Sequence, residues 1–386
     1  MEKTYCAAPW RGLHINFRGD VKTCCAGDPN MLGDLNSKSI DEILQSDTMK
    51  EIRATLQQGK MHEDYCYNCI SAERYGRSER HWHNDVNPDF DSASASLEEH
   101  SPSIIDVRWN ITCNLACNYC GPYCSSKWAA IAKGKEELLT IEQKHDGVKP
   151  YVQQVCEYVE EKKHSVREVA LVGGEPLLLK ENHYLLDVIP DDCIVTLITN
   201  TSVEFEKNAI VSKLMQRQKV SWSMSFDNVG DRFEYVRYGA NWDLLDHNVR
   251  LINSWKDRGH WNGIHAVYNL YNCTRLRELR NYADSIGTKI LWQTLYQPDY
   301  LDPTKHDLKT RELAIEEIDA YSRDYDLSDH EKSFFSLAKQ NLSTIASDAE
   351  PLTERFKKHI HEMEHLFHKD RQTSFVNLWP ELSHLC

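Results

Sequence analysis

IIDVRWNITCNLACNYCGPYC, residues 104–124, joins an apolar run typical of a buried strand to a loop that carries four cysteines. Its first three cysteines, Cys113, Cys117 and Cys120, are spaced Cys-x3-Cys-x2-Cys, and a helix-breaking Gly-Pro pair follows them directly. Cys124 is the fourth. Three thiolates would leave one position of a metal centre open for chemistry, whereas four would close it.

Composition favours a protein of a reducing compartment. The chain has 386 residues, a formal net charge of −14 and 13 cysteines. The acidic charge argues against nucleic acid as a partner, and no apolar run approaches the ~20 residues that span a bilayer. The N-terminus MEKTYCAAPW lacks a signal-peptide core, so we expect a cytoplasmic protein with no membrane partner. Cysteines there are metal ligands or core thiols rather than disulfides.

From residue 103 onward, short apolar runs alternate with amphipathic segments, which predicts a parallel sheet covered by helices. The expected strands are 104–109, 169–173, 194–199, 220–226, 264–270 and 289–295. Six units are too few to close an eight-stranded barrel, so the α/β prediction is a partial (β/α)6 TIM-like barrel over residues 103–300. A helical C-terminal extension is expected over 301–386, with helices at 308–324, 328–346 and 352–369.

The cysteine loop directly after the first strand resembles the radical S-adenosylmethionine (radical SAM) superfamily, with the aromatic Tyr119 just before the third cysteine. The resemblance implies that Cys113, Cys117 and Cys120 hold a 4Fe–4S cluster. Thiolates are the ligands that select iron–sulfur clusters. One iron would stay open to chelate S-adenosylmethionine (SAM).

The segment GGEP, which follows the second predicted strand, provides the second match. The resemblance implies that Gly173, Gly174, Glu175 and Pro176 meet the amino group of SAM. Glycines permit close backbone approach, and a carboxylate suits a cation.

Polar residues near the ends of later strands give weaker matches. By the same resemblance, SAM contacts are expected from Asn200, Ser223, Ser225, Asp227 and Arg237. The competing interpretation is that such residues cap the helices that follow them.

The role of Cys124 separates two interpretations of the central loop. Bacterial ferredoxin loops are spaced x2, x2, x3, and zinc ribbons need paired Cys-x2-Cys knuckles. This loop fits neither pattern. Three ligands and an open iron are therefore favoured, and Cys124 is expected to be a bystander or a thiol beside the cluster.

The N-terminal residues 1–75 carry a second cysteine pattern. Cys6-x12-Gly19-x4-Cys24 resembles the opening of the SPASM auxiliary-cluster domain, a hairpin with a glycine at its turn and a cysteine on each arm. With Cys66 and Cys69, the resemblance implies four ligands for one auxiliary 4Fe–4S cluster, as in the shortened form called Twitch.

Three points about this region stay open. Cys25 is adjacent to Cys24 and competes with it as a ligand, although the glycine spacing favours Cys24. A four-cysteine zinc site is the alternative to an iron–sulfur cluster. The auxiliary domain usually follows the barrel, whereas here it precedes it, separated by a polar segment, 76–102, that is expected to be a linker.

HEMEH, residues 361–365, fits the H-E-x-x-H motif of zinc proteases. However, the apolar stripe of this predicted helix consists of Phe356, Ile360, Met363 and Phe367, and the histidines flank it. We therefore expect a solvated helix face here rather than a metal site.

The resemblance implies an enzyme that cleaves SAM reductively to a 5′-deoxyadenosyl radical, which abstracts hydrogen from a substrate. A flavodoxin or ferredoxin is the expected electron donor. The SPASM-like domain favours a peptide substrate, modified by crosslinking, epimerisation or oxidation, over a sugar or other small metabolite. No catalytic acid or base is indicated. The competing class is a non-catalytic iron–sulfur or zinc protein with both sites closed by four cysteines.

Overall fold

The computed structural model describes residues 6–28, 30–73, 78–132, 151–295, 297–344, 352–367 and 373–386. In these ranges, none of the helices combines the length and apolar character needed to cross a membrane. The last positions of two predicted helices, 345–346 and 368–369, lie outside the described residues, as do positions 76–77 of the predicted linker.

The main sheet contains seven parallel strands. Six of them lie at the predicted places, and each of these six is followed by helical structure. The strands are β1 (Gly12–Ile15), β2 (Val21–Lys22), β3 (Ile104–Val107), β4 (Ala116–Cys117), β5 (Glu168–Leu171), β6 (Ile194–Thr199), β7 (Val220–Ser225), β8 (Arg237–Tyr238), β9 (His260–Tyr268) and β10 (Lys289–Thr294). The sheet order is β10-β9-β7-β6-β5-β3-β1-β2, and β4 pairs separately with β8. The edge strands β10 and β2 do not pair, so the predicted open α/β barrel is confirmed.

Helices cover the outer side of this sheet, and further helices form much of the N-terminal and C-terminal regions. They are α1 (Ala8–Arg11), α2 (Ile40–Leu44), α3 (Asp47–Gln57), α4 (Tyr67–Glu73), α5 (Glu79–Val86), α6 (Ser126–Ala132), α7 (Val152–Lys162), α8 (Glu181–Val188), α9 (Ala209–Leu214), α10 (Gly230–Val236), α11 (Trp242–Asn253), α12 (Leu276–Ser285), α13 (Leu308–Asp324), α14 (Asp329–Ser343), α15 (Thr353–Phe367) and α16 (Phe375–Leu378).

The two faces of the sheet differ in polarity because side chains alternate along each strand. Leu197 on β6 pairs with Trp222 on β7, and both are fully buried on the helix-covered outer face. On the inner face, Thr196 pairs with Ser221, and the next inner pair joins Ile198 to Ser223. These two pairs therefore present three hydroxyl groups and one apolar side chain to the inner face.

The N-terminal hairpin extends the main sheet. Gly19 occupies the turn between β1 and β2 with a φ of +92°, as the hairpin prediction requires. β1 pairs in parallel with β3, and His14 lies opposite Asp106 with 3.0 Å between Nδ1 and Oδ2. This pairing attaches the N-terminal cysteine region to the first barrel strand.

The segment predicted to be a linker contains α5. Its Asn84 side chain accepts a hydrogen bond of 2.9 Å from the backbone N–H of Ala7, next to Cys6. Arg167, just before β5, donates a 2.9 Å hydrogen bond from Nη1 to the carbonyl of Val86 at the end of α5. This helix therefore packs between the N-terminal region and the sheet, which the polar composition of the segment did not indicate.

The C-terminal helices pack on the last strands and on the cysteine loop. Trp292 of β10 packs edge-on against Phe335 of α14, with 5.5 Å between ring centroids. Phe367 of α15 contacts Trp128 of α6 at 4.9 Å. The predicted apolar stripe of α15 is buried, and the histidines at both ends of its HEMEH segment are exposed, so the expectation of a solvated face is confirmed.

Gly12 in β1 has room for no side chain, because an added Cβ would overlap the carbonyl oxygen of Thr23 and lie 2.7 Å from Cε1 of His83. We expect Gly12→Ala to lower the free energy of unfolding by about 1–3 kcal/mol, as overpacking does. Gly263→Ala is the control, since its Cβ would meet Lys289 O at 3.8 Å. Urea unfolding followed by tryptophan fluorescence measures both, and equal destabilisation would contradict the packing described.

Candidate cluster and cofactor sites

The loop that carries Cys113, Cys117 and Cys120 begins at the C-terminal end of β3, and its contacts with β8 and α6 hold it in place. The β4–β8 ladder places Cys117 directly opposite Arg237. The indole Nε1 of Trp128, on α6, donates a 2.8 Å hydrogen bond to the carbonyl of Cys117. The position of the middle cysteine is therefore set by both a strand pair and a helix.

The three thiols are neighbours. Cys117 is buried, whereas Cys113 and Cys120 are half-buried. A hydrogen bond that the Cys117 thiol donates to Cys120, followed by burial, raises the pKa of Cys117 well above its usual value, and burial raises the pKa of Cys113 to about 11. Cys124 is exposed. Its charge interacts with Arg108 and Cys113.

The GGEP segment packs directly against the cysteine loop. Gly173 has a φ of +124°, which favours glycine. The N–H of Gly174 donates to Asn110 O at 3.2 Å, and the N–H of Glu175 donates to Thr112 O at 2.8 Å. A Cβ on Gly174 would overlap that same Thr112 oxygen. The second glycine thus permits the close backbone approach of the two motifs.

Glu175 is fully buried at the junction of β5 and β6. Its carboxylate accepts hydrogen bonds from Leu177 N (3.1 Å), Thr199 Oγ1 (2.7 Å) and Asn200 N (2.7 Å). Burial raises its pKa to about 7. Pro176 is also buried and begins a short 3-10 turn. The carboxylate therefore holds the GGEP turn to the next strand and titrates near neutrality.

Asn200 connects the end of β6 to the cysteine loop. Its Nδ2 lies 3.7 Å from Cys113 Sγ and donates a 2.8 Å hydrogen bond to Asn114 Oδ1. Asn114 in turn donates to the carbonyl of Ser202 at 2.6 Å. Thr201, which lies between Asn200 and Ser202 in the chain, has a φ of +58°, which is uncommon for a β-branched residue. The strained turn brings the Asn200 amide to the thiol.

Asp227, Arg237 and Tyr119 form a buried polar cluster behind the cysteines. Asp227 Oδ2 accepts from Tyr119 Oη at 2.6 Å and from Arg237 Nη2 at 3.1 Å. Asp227 Oδ1 accepts from Val267 N at 2.7 Å. Arg237 lies over the Tyr119 ring, and its Nη1 is 4.0 Å from Cys117 Sγ. Asp227 thus orients a cation toward the thiol.

Ser223 and Ser225 lie on the inner face of β7. Ser225 pairs with His265 of β9, and Ser223 Oγ lies 3.4 Å from His265 Nδ1. Within the described residues, the side-chain hydrogen bond of Ser223 is with His265 and not with the cysteine loop. Ser223 and Ser225 therefore lie on the inner face of the sheet, but outside the group that the other predicted cofactor residues form around the cysteine loop.

The four predicted auxiliary ligands line a single cavity. Cys6, Cys24, Cys66 and Cys69 all contribute to its wall. The charge of Cys24 interacts with the other three thiols. Burial raises the pKa of Cys6 to about 12 and that of Cys66 to about 11. The hairpin and α4 thus bring together cysteines that are up to 63 positions apart in the sequence.

Cys25 faces a different environment. Its thiol interacts with Glu79, Cys24, Asp106 and Arg108, and it does not line the cavity of the four cysteines. The structure favours Cys24, as the glycine spacing predicts.

Both sites suit metal centres bound through sulfur. Buried thiols hold their protons tightly, and a metal cation is what stabilises thiolates in such surroundings. Four thiols around one cavity fit a closed iron–sulfur cluster, and three neighbouring thiols fit a cluster with an open iron. Across the described ranges, no group of three or more Cys, His, Asp or Glu side chains is arranged to hold a single metal ion. The fit described here therefore concerns clusters of several irons and not one bound ion.

Three residues of the central site were missed by the sequence analysis: Asn114, Thr199 and His265. Thr199 binds Glu175 because β5 and β6 are adjacent, which the order of β/α units indicates. Asn114 and His265 had no motif to mark them. Only the fold shows that they meet Asn200 and Ser223.

Residues 6–70 match SPASM, an iron-sulfur cluster-binding domain. The predicted N-terminal iron–sulfur domain is therefore confirmed. No curated protein is significantly similar to this chain.

Several solved structures resemble parts of the fold. anSMEcpe with bound AdoMet is 15% identical over 58% of this chain and 62% of its own, with a TM-score of 0.41. Streptococcus suis SuiB bound to S-adenosylmethionine is 17% identical over 59% of this chain and 46% of its own, at 0.39. SuiB bound to precursor peptide SuiA is 14% identical over 81% and 72%, at 0.41. These scores describe a partial similarity of fold and nothing more.

Removing the Asp227 charge leaves the buried Arg237 unpaired, so we expect Asp227→Asn to lower the free energy of unfolding by about 3–5 kcal/mol. Asp187→Asn is the matched control, because Asp187 pairs with Lys213 at the surface with 63% of its side chain exposed. Its loss is expected to cost about 0–1 kcal/mol. Urea unfolding measures both. Equal losses of unfolding free energy in the two variants would contradict a buried ion pair between Asp227 and Arg237.

Proposed function

We propose that this chain is a radical SAM enzyme. Cys113, Cys117 and Cys120 hold a 4Fe–4S cluster with one open iron, and the four N-terminal cysteines hold an auxiliary cluster. The observation that carries the proposal is the placement of three neighbouring thiols, with Cys124 exposed, at the C-terminal end of the first strand of an open β/α barrel. Active sites of parallel β/α barrels lie at that end.

With SAM on the open iron, the cluster supplies one-electron cleavage of the sulfonium to a 5′-deoxyadenosyl radical and methionine. Residues of this chain position SAM and the cysteine ligands. Glu175 and the GGEP backbone meet the SAM amino group, and Arg237 and Asn200 hold positive charge and an amide donor beside the cysteines. The buried Asp227 keeps Arg237 in place.

The electrons come from an external one-electron donor of the flavodoxin or ferredoxin type. The auxiliary site is closed by four cysteines, so its role is electron transfer or substrate anchoring rather than SAM cleavage. The pairing of β1 with β3 attaches the auxiliary-site domain to the barrel, which supports a direct functional connection between the two.

The substrate we favour is a peptide, over a sugar or other small metabolite. The inner face of β10 exposes Leu291, with 47% of its surface accessible. Its register places it opposite His265, which pairs with Ser225 at the C-terminal end of β7. A large apolar side chain beside imidazole and hydroxyl groups suits the mixed surface of a polypeptide.

A non-catalytic iron–sulfur or zinc protein is the competing function, and metal content with turnover separates the two. The anaerobically reconstituted enzyme is expected to hold about eight irons, as two cubanes do, and to release 5′-deoxyadenosine from SAM and dithionite. Stoichiometric zinc in place of iron would contradict the proposal.

Cys124→Ala and Cys117→Ala form a matched pair of variants. We expect Cys124→Ala to release 5′-deoxyadenosine at the wild-type rate, because that thiol is exposed beside the turn. Cys117→Ala is expected to release none and to hold about four irons fewer. Chromatography of the quenched reaction and iron assay measure both. If Cys124→Ala abolishes release, the three-thiol assignment fails.

Glu175 gives the proposed SAM site a pH dependence. Its pKa of about 7 means that the carboxylate gains its charge as the pH rises through neutrality. We expect the dissociation constant for SAM to be roughly tenfold larger at pH 6 than at pH 8, since only the charged form attracts the ammonium group. Equilibrium dialysis of the reconstituted protein measures this. Glu175→Gln should flatten the profile, and a profile unchanged in that variant would place the titrating group elsewhere.

A further inference from the structure

The cavity of the four cysteines has a wall that lies outside the matched iron–sulfur domain. Arg80 and His83, both on α5, line it together with Cys6, Cys24, Cys66 and Cys69. The match to the domain ends at residue 70, before this helix begins. The cysteines alone therefore do not describe the surroundings of the auxiliary site.

His83 is a buried polar side chain without a hydrogen bond. It is 1% exposed, and within the described residues neither of its ring nitrogens has a hydrogen-bond partner. A buried, unpartnered polar group is costly and needs an explanation. Gly12 leaves the space for this ring, because a Cβ there would lie 2.7 Å from His83 Cε1.

The helix is tied to the cysteine segments on both sides. The N–H of Ala7, adjacent to Cys6, donates to Asn84 Oδ1 at 2.9 Å. On the other side, Arg80 forms two hydrogen bonds with Glu73 of α4, Nε to Oε1 at 2.7 Å and Nη2 to Oε2 at 3.0 Å. These anchors fix α5 against both halves of the ligand set.

Arg80 brings positive charge to the same cavity. Its guanidinium interacts electrostatically with the thiols of Cys6 and Cys69. Burial lowers the pKa of His83 to about 4, so its imidazole is neutral and carries one N–H donor at neutral pH. A cation and an N–H donor thus face a site expected to hold inorganic and cysteine sulfur.

We propose that His83 donates its ring N–H to a sulfur of the auxiliary cluster and, with Arg80, raises the reduction potential of that cluster. The inference rests on the proposed four-cysteine cluster. Hydrogen bonds to the sulfurs and nearby charge set the potentials of iron–sulfur centres, because they stabilise the more negative reduced form. The sequence signal for this role is a His three residues after an Arg on a short helix that follows the last cysteine of the domain.

The test uses the full-length protein with Cys113, Cys117 and Cys120 all changed to Ala, so that only the auxiliary cluster remains. Its midpoint potential is measured by redox titration followed by electron paramagnetic resonance. His83→Phe fills the same space without a donor, and His83→Gln restores an N–H. We expect His83→Phe to lower the reduction equilibrium constant at least tenfold, which is 59 mV for one electron, and His83→Gln to recover part of that shift.

His100→Gln is the matched control. His100 is a neighbouring histidine whose ring nitrogens already bond Tyr158 Oη and Gly12 O, and it does not line the cavity. Its change is expected to leave the potential unaltered. Arg80→Gln provides a second variant, expected to shift the potential in the same direction as His83→Phe.

Each other outcome contradicts a specific step. An unchanged potential in both His83→Phe and Arg80→Gln overturns the inference while leaving the cluster in place. A folded His83→Phe protein that loses its iron would make His83 a ligand instead of a donor. A triple-alanine background that binds no iron would contradict the proposed auxiliary cluster itself.

Discussion

The buried ion pair between Arg237 and Asp227 is the contact on which the central site depends. Such a pair contributes little net stability, because desolvating both charges offsets their attraction. Here the remaining cost is reduced by added hydrogen bonds, from Tyr119 Oη and Val267 N to the two carboxylate oxygens. What the pair provides is position, since the guanidinium lies opposite Cys117 and offsets the negative charge of thiolates gathered at one point.

The two cysteine sites are connected by the sheet itself. β1 pairs in parallel with β3, so the hairpin that follows Cys6 and precedes Cys24 becomes the strand next to the barrel's first strand. On the inner face, His14 contacts Asp106, which is 3.3 Å from Arg108. Arg108 interacts with Cys25 and with Cys124, one thiol from each cysteine-rich segment. An iron–sulfur domain that precedes the barrel in sequence thus lies beside its first strand in space.

The sequence predicted the repeating part of the fold because that part follows local rules. Apolar runs marked the six parallel strands from β3 onward, and periodic stripes such as Phe356, Ile360, Met363 and Phe367 marked the helices. The β1–β3 pairing was missed because it joins residues about 90 positions apart, and no local pattern specifies such a partner. α5 was missed because its composition is polar and its contacts with Ala7, Glu73 and Arg167 come from tertiary packing.

The candidate sites follow the same division. Spacing identified the cysteines and GGEP because those motifs are short and local. It could not assign Asp227, whose partners Tyr119, Arg237 and Val267 come from three different segments. The SAM contact expected of Asp227 stays a prediction, and the structure adds that both of its oxygens accept hydrogen bonds within the protein. A polar residue at a strand end therefore does not reveal whether it meets a ligand or holds a residue that does.

The hydrogen bonds of the central loop also favour three thiol ligands over four. Cys120 N–H donates to the carbonyl of Cys117 at 3.0 Å, which keeps those two residues in one turn. Ser125, the residue after Cys124, is buried, and its hydroxyl donates to the carbonyl of Leu115 at 2.6 Å. Turning Cys124 inward would displace this buried serine and leave that carbonyl without its partner, at a cost of about 1–3 kcal/mol. The backbone just before α6 therefore supports the proposed open coordination position.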